Sequence, residues 1–137
     1  MTKGKRELRI AGLVIHILIA ALLIFASSGK LLGSPPPEVL AQLQKAGLEN
    51  QLRLIGAGEL ATALLLIIPW TSSLGVLVAS GFWGGTIATH MSMHDSYVFQ
   101  AGLLALTWIG ALLRLPEMFS SFTWTGSPIG RSDAPPS

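Results

Sequence analysis

Three ionisable residues of different chemistry stand in or beside long apolar segments of this chain: the amine of Lys30, the carboxyl of Glu59 and the imidazole of His90. A charge in hydrocarbon is costly unless it has a partner, so ionisable residues in membrane segments are functional candidates by default. An amine or imidazole can hydrogen-bond a carbonyl, and a carboxyl can exchange a proton. The three residues therefore predict a polar site within an apolar protein.

The composition indicates an integral membrane protein. Of 137 residues, 50% are hydrophobic and 12% are charged, whereas soluble domains average about 25% charged residues. Each crossing of the hydrocarbon layer takes about 20 helical residues, so four crossings fill most of the chain. Cysteine is absent, which excludes disulfides and thiolate metal sites within this sequence. The formal charge of +2 gives no indication of nucleic-acid binding.

The pattern predicts an all-α fold, an integral membrane four-helix bundle that forms one domain at residues 10–115. The apolar segments predict helices at about residues 10–32, 52–68, 74–92 and 98–114. Pro69 and Pro116 follow the second and the fourth segment and end them. Between the first two segments, the spacing of Val39, Leu40, Leu43 and Leu48 predicts a short amphipathic helix. It lies either on the outer membrane surface or in a solvated loop.

The distribution of basic residues predicts the orientation. Residues 1–9 carry four basic side chains, and in a four-span protein they share one side of the membrane with Arg114 and Arg131. The other side holds Lys30, Lys45 and Arg53. The excess of basic residues on the side of the termini predicts a multi-pass protein of the cell inner (cytoplasmic) membrane with both termini cytoplasmic. Residues 116–137 are rich in Ser, Thr, Gly and Pro, which predicts a flexible cytoplasmic tail.

Helix geometry places the three ionisable residues at one depth. Lys30 lies about 30 Å along the first helix, and Glu59 lies about 10 Å inside the outer end of the second. His90 lies about 24 Å from the inner start of the third helix, again near the outer side. Side chains lean toward the N-terminus of their helix, so these three aim at a common level. The predicted pocket near the outer face consists of Lys30, Glu59, His90, Asp95, Gln100 and Ser27.

Each of these residues also has a plainer structural explanation. Lys30 could extend its amine to the lipid headgroups, and Glu59 could form a purely structural ion pair with Lys30 or Arg53. His90 could hydrogen-bond a neighbouring helix. His90 and His94 stand four residues apart, which would allow one shared metal if the helix continued, but the third helix is due to end there and no metal site is expected. Haem is also not expected, because His16 and His90 differ in depth by about 15 Å.

Glycines in the third helix predict a helix contact. Gly81 and Gly85 form a GxxxG pattern with Gly84 beside them, and small residues mark close helix contacts in membranes. His90 projects to a different side, together with Trp83. The pattern therefore predicts one tightly packed face and another face left for the pocket.

Three segments resemble the DoxX-like family: FASSGKLLG at 25–33, LIGAGELATALLLIIP at 54–69 and GFWGGTIATHMSMHDS at 81–96. The resemblance implies a small four-helix membrane protein of bacteria or archaea. It also implies that Lys30, Glu59 and His90 correspond to the family's polar positions at the ends of helices one to three, with Asp95 in the following turn. Namesakes of the family are linked to membrane redox assemblies, including a thiosulfate:quinone oxidoreductase subunit.

Two functions remain open from the sequence. In the first, the chain is a noncatalytic module that binds a small molecule or lipid, or anchors another membrane protein. In the alternative, it is a quinone-associated subunit of a membrane oxidoreductase assembly: His90 or Lys30 hydrogen-bonds a quinone carbonyl, and Glu59 exchanges the proton. Its electrons would then come from a partner, so whether the chain is an enzyme stays open. The expected ligands are quinone or bound lipid. The expected partners are membrane lipids, with a redox subunit or a second copy of the chain as alternatives.

Overall fold

The computed structural model describes residues 2–122, and helices account for nearly all of this range. The α-helices are α1 (Lys3–Leu31), α2 (Pro37–Lys45), α3 (Leu52–Ile67), α4 (Ser72–Ser92) and α5 (Val98–Arg114). Two 3₁₀ segments, Glu49–Gln51 and Pro116–Phe122, precede α3 and follow α5. The described residues include no strand, and the all-α prediction is confirmed.

The four long helices form a closed bundle. α1 packs against α3 and α5, and α4 packs against the same two helices, so each long helix has two neighbours. α2 lies outside this ring, in the connection from α1 to α3. The bundle therefore has an α2 end, where α1 and α4 finish, and a terminal end, where α1 begins and α5 finishes. The buried apolar core between the helices consists of Ile19, Ala20, Leu23, Ala63, Leu66, Val76, Ala79, Trp83, Leu103 and Ala111.

Local sequence explains where the helices begin and end. Ile68 adopts an extended conformation before Pro69 and ends α3. Pro37 occupies the first turn of α2, where its missing N–H is not needed. α1 begins at Lys3 rather than at the predicted Ile10. The basic segment is helical because Lys, Arg, Glu and Leu all favour helix, whereas the prediction followed hydropathy alone.

The chain after α5 packs back onto the bundle in part of the segment that was predicted as a flexible tail. Pro116–Phe122 form a 3₁₀ segment, and the Phe119 ring meets the Trp108 ring edge to face with centroids 6.0 Å apart. Aromatic burial therefore orders the start of this segment. The remainder of the predicted tail, residues 123–137, lies outside the described residues.

The exterior of the bundle is strongly apolar. Leu18, Phe25, Leu54 and Leu77 each expose more than half of their surface. Contiguous apolar surface of this kind is unusual on proteins that face only water. Among the described residues, α1 is the helix whose length and composition suit a membrane crossing, while α5 is apolar but shorter, at 17 residues.

Candidate ligand-binding cavity

Lys30 and Glu59 form a buried ion pair at the α2 end of the bundle. The Lys30 Nζ lies 2.7 Å from Glu59 Oε1 and 2.8 Å from Oε2, and it also donates to the Ala26 carbonyl oxygen at 3.1 Å. Both side chains are less than one-tenth exposed. The three protons of the ammonium thus have three acceptors, and the positive and negative charges neutralise each other within the protein.

A small residue allows this pair to form. Gly56 precedes Glu59 by about one turn on α3, and a Cβ at position 56 would lie 2.9 Å from Lys30 Cβ. The close approach of the two backbones brings the base of the Lys30 side chain against α3. The Lys30 ammonium and the Glu59 carboxylate then meet one turn farther along α3. Arg53, the other partner considered for Glu59, is exposed instead.

His90 and Gln100 form a second polar pair, between the last turn of α4 and the first turn of α5. Their Nε2 atoms lie 3.0 Å apart. With the amide nitrogen as donor, His90 Nε2 accepts and its Nδ1 carries the ring proton. Within the described part of the chain, His90 Nδ1 and Gln100 Oε1 are buried without a hydrogen-bond partner. The pair therefore keeps unused hydrogen-bonding capacity, which is rare in a folded interior.

One cavity of about 400 Å³ has Lys30, Glu59 and His90 in its wall. It lies at the α2 end, between α2 on one side and α3 with α4 on the other. The remaining wall is mainly apolar and includes Val39, Leu43, Leu48, Ile55, Phe82 and Met93. An apolar chamber with a few convergent polar groups has the composition of a small-molecule site.

Glycines on α4 create much of the space in this cavity. Gly81 and Gly85 line it, and a Cβ built at either position would meet no atom of the described residues within 4 Å beyond the neighbouring turns of its own helix. The predicted tight helix contact through this GxxxG pattern is therefore wrong. The close contact on α4 involves Gly75 instead, where a Cβ would lie 2.6 Å from the Leu66 nitrogen of α3. The pattern alone could not distinguish a packed face from an open one.

α2 covers the cavity, and an ion pair links it to the far side. Val39, Leu43 and Ala46 lie in the wall, so the apolar face of α2 points at the cavity. At its C-terminal end, Lys45 Nζ lies 2.7 Å from Asp95 Oδ1 in the turn after α4. This role of α2 was not predicted, although its apolar spacing had indicated an amphipathic helix.

The other predicted pocket residues lie around the cavity rather than in its wall. Asp95 is partly exposed and pairs with Lys45. Gln100 contacts His90. Ser27 is buried beside α3, and its hydroxyl donates to the Ile24 carbonyl oxygen at 2.8 Å. The structure therefore brings three of the six residues into the wall, and a fourth, Gln100, supports one of them.

The local backbone separates His94 from His90. α4 ends at Ser92, and His94 adopts a left-handed conformation with φ of 58°. The amide of Asp95 then donates to the His90 carbonyl oxygen at 2.9 Å, and that of His94 to the Met91 carbonyl oxygen at 3.1 Å, which is a Schellman motif. The continuous helix that a shared metal would require is not formed. Within residues 2–122 no group of three or more His, Asp or Glu side chains could hold a metal ion.

A separate polar cluster lies at the terminal end of the bundle, and the sequence did not predict the contacts that Arg114 makes in it. Arg114 Nη1 donates to the Leu66 carbonyl oxygen at 2.9 Å and to His16 Nδ1 at 3.2 Å, while Nη2 donates to the Ile67 carbonyl oxygen at 3.3 Å. His16 Nε2 lies 3.0 Å from the Thr107 carbonyl oxygen. Both nitrogens of the fully buried His16 are thus engaged, so this histidine links α1 to α5, while Arg114 links α5 to the end of α3.

Comparisons with known proteins identify the family. Searches of curated proteins and of solved structures gave no match to this chain. The sequence model of the DoxX-like family matches residues 14–110, which include α1 from its fourth turn onward and most of α5. This range contains Lys30, Glu59 and His90 and covers well over half of the sequence. The resemblance noted in the sequence is confirmed, and the chain belongs to the DoxX-like family.

Proposed function

We propose that this chain is a noncatalytic membrane module that binds a small molecule or lipid in the cavity at the α2 end. The observation that carries the proposal is the convergence of Lys30, Glu59 and His90 on the wall of one mainly apolar cavity of about 400 Å³. That volume lies within the usual range for sites that enclose a small ligand.

Membership of the DoxX-like family implies a membrane protein, and the apolar exterior agrees with this. We further propose a multi-pass arrangement in the inner membrane with both termini in the cytoplasm. The terminal end of the bundle carries Lys3, Lys5, Arg6, Arg9 and Arg114, which is the excess of basic residues expected on the cytoplasmic side. The cavity then lies near the extracytoplasmic face.

The charges in the wall indicate the kind of ligand. Lys30 and Glu59 neutralise each other, so the cavity offers an ion pair rather than a net charge. A neutral or zwitterionic polar group suits such a wall better than an ion, because an ion would be desolvated without a counter-charge of its own. The apolar remainder of the wall suits an attached hydrocarbon portion. These features favour an amphipathic molecule that enters from the membrane.

A quinone is one amphipathic molecule of this kind, and it defines the second candidate function. His90 shares the cavity wall with Glu59, and a rotation of its side chain would turn the buried Nδ1, which no described protein atom uses, toward a ligand. An imidazole donor could hold a quinone carbonyl, and a carboxyl could exchange the accompanying proton. The chain would then serve as a quinone-associated subunit of a membrane oxidoreductase assembly, with electrons supplied by a partner.

Two neighbouring glycines provide the test. Gly85 lines the cavity, whereas Gly84 lies outside its lining and is exposed, and a Cβ at either position would have open space around it among residues 2–122. Gly85→Leu therefore fills the cavity, while Gly84→Leu makes the same chemical change on the exterior. Both variants and the wild type are purified in mild detergent, checked for folding by circular dichroism, and analysed for bound molecules by native mass spectrometry.

The proposal expects a bound small molecule in the wild type and in Gly84→Leu, and its loss from folded Gly85→Leu. A bound species with the mass and ultraviolet absorbance of a quinone would favour the second candidate. Equal ligand content in all three proteins would contradict a site in this cavity. So would a wild-type protein that carries no small molecule and takes up none from added membrane lipid extract.

A further inference from the structure

A second concave surface lies at the terminal end of the bundle, far from the α2-end cavity. It encloses about 440 Å³ between the first turns of α1 and the end of α5. Its wall consists of Lys5, Leu8, Arg9, Leu112, Leu113 and Pro116. We refer to this surface as the terminal groove. Two cations and four apolar residues thus share one concave surface.

The geometry of α1 groups the two cations. Lys5, Leu8 and Arg9 follow a spacing of three and four residues, which places them on one face of the helix. Lys5 and Arg9 are about 6 Å apart along the helix axis, a separation that one phosphate group can bridge with two long side chains. Leu8, between them in sequence, is 53% exposed. The groove therefore combines a cationic site with adjacent apolar surface.

The length of α1 places this site at the level of the lipid headgroups. α1 has 29 residues and is about 43 Å long, which is about 13 Å more than the hydrocarbon layer requires. The continuous apolar sequence begins at Ile10, so the preceding turns extend beyond the hydrocarbon. Basic residues in this position attract anionic lipids of the same leaflet.

We propose that the terminal groove binds one anionic phospholipid. Lys5 and Arg9 hold the phosphate, and the exposed surfaces of Leu8 and Leu112 contact the start of an acyl chain. Glu117 competes with the phosphate for Arg9, because its Oε2 lies 3.7 Å from Arg9 Nη2. Both side chains are about half exposed or more. The proposal requires only the membrane location that the family implies and does not depend on the ligand of the α2-end cavity.

Two matched double variants test the site. Lys5→Gln with Arg9→Gln removes both groove cations. Lys3→Gln with Arg6→Gln removes the same charge from exposed positions of the same helix that lie outside the groove. The full-length proteins are titrated in detergent with phosphatidylglycerol or phosphatidylcholine, and the bound lipid is counted by native mass spectrometry.

We expect the wild type to prefer phosphatidylglycerol, and the groove variant to bind it at least about tenfold more weakly, because Lys5 and Arg9 donate charge-assisted hydrogen bonds to the phosphate and Lys3 and Arg6 lie outside the groove. The control variant should stay within about twofold of the wild type. Glu117→Gln should strengthen binding, and Leu8→Ser should weaken it without any change of charge.

Three outcomes would overturn the proposal. Equal losses in the two double variants would show diffuse electrostatic attraction rather than a site. Equal binding of phosphatidylcholine by the wild type would remove the role of the anionic headgroup. A large gain of phosphatidylglycerol binding after deletion of residues 123–137 would show that this segment, not a lipid, is the resident occupant of the groove.

Discussion

The Lys30 Nζ lies 2.7 Å from one carboxylate oxygen of Glu59 and 2.8 Å from the other, and both residues line the wall of a cavity. The pair is therefore both a contact between α1 and α3 and part of the wall of the proposed ligand cavity. Loss of one partner leaves the other charge buried, which is more destabilising than loss of both. This relationship gives the first prediction.

Lys30→Met and Glu59→Leu, each alone, should lower the free energy of unfolding by about 3 kcal/mol. The double variant Lys30→Met with Glu59→Leu should recover most of that loss, because no unpaired charge remains. Unfolding is followed by circular dichroism in detergent with rising denaturant. Arg53→Met changes an exposed residue on α3, the helix that carries Glu59, and serves as the control. It should change the free energy of unfolding by less than about 0.5 kcal/mol. Additive losses in the double variant would contradict the pairing.

A second prediction concerns the ion pair between Lys45 and Asp95, which holds the C-terminal end of α2. Both residues are at least one-third exposed, so Lys45→Glu should change the global free energy of unfolding by less than about 1 kcal/mol. The same variant should speed hydrogen exchange of the α2 amides, because α2 packs weakly on the rest of the bundle. The exchange is measured by mass spectrometry of peptides that cover Pro37–Lys45.

Charge reversal distinguishes the pair from a general charge effect. Lys45→Glu combined with Asp95→Lys should return the α2 exchange rate toward that of the wild type. Gln44→Glu adds a negative charge to an exposed position of α2 without removing the pair, so it should leave the rate nearly unchanged. If Gln44→Glu accelerates exchange as much as Lys45→Glu does, the contact with Asp95 does not hold α2.

The sequence predicted the depth of the polar residues better than it predicted their surroundings. The rise per residue along a helix is fixed, so Lys30, Glu59 and His90 could be assigned to one level without knowledge of the packing. In the structure all three line one cavity. The position of α2 over that cavity depends on tertiary contacts, and the amphipathic pattern of α2 fits a membrane surface equally well.

Two further features show why the sequence was insufficient. Gly81 and Gly85 match a packing motif, but the motif records only small size, and here the small size leaves open space. In the sequence, Arg114 counted as one of the basic residues that predict the orientation. Its contacts with His16 and with the end of α3 join residues 98 and 48 positions away, and no local pattern encodes such partners.

The proposed orientation gives a third prediction, and the absence of cysteine makes it simple to test. Single cysteines are introduced at exposed positions: Ser96 in the turn at the α2 end, and Thr2 and Ser73 at the terminal end. In intact cells a membrane-impermeant maleimide should label Ser96→Cys, while Thr2→Cys and Ser73→Cys should react only after permeabilisation. Labelling of Ser73→Cys in intact cells without labelling of Ser96→Cys would show the opposite orientation.

The last prediction separates structural residues from ligand-binding residues. Arg114 donates to the carbonyl oxygens of Leu66 and Ile67, which lie at the end of α3 and lack helical partners of their own, and to His16 Nδ1. Arg114→Leu leaves the Ile67 carbonyl oxygen and His16 Nδ1 without this donor, and the Leu66 carbonyl oxygen with only the Ser72 hydroxyl at 3.3 Å, which should lower the free energy of unfolding by about 2–3 kcal/mol. Arg114→Lys should lower the free energy of unfolding by less, because lysine retains the positive charge. Some loss should remain, because an ammonium cannot reach all three acceptors as the planar guanidinium does.

Denaturant unfolding measures these losses, with the exposed Arg6→Leu as the control for removal of a basic residue. Ligand content should be unchanged in folded Arg114→Leu, because Arg114 lies at the opposite end of the bundle from the α2-end cavity. The contrast with Gly85→Leu is the informative result, since that variant should lose the ligand and keep its fold. If Arg114→Leu releases the bound molecule while it remains as stable as the wild type, the terminal cluster has a direct role in binding that its contacts do not explain.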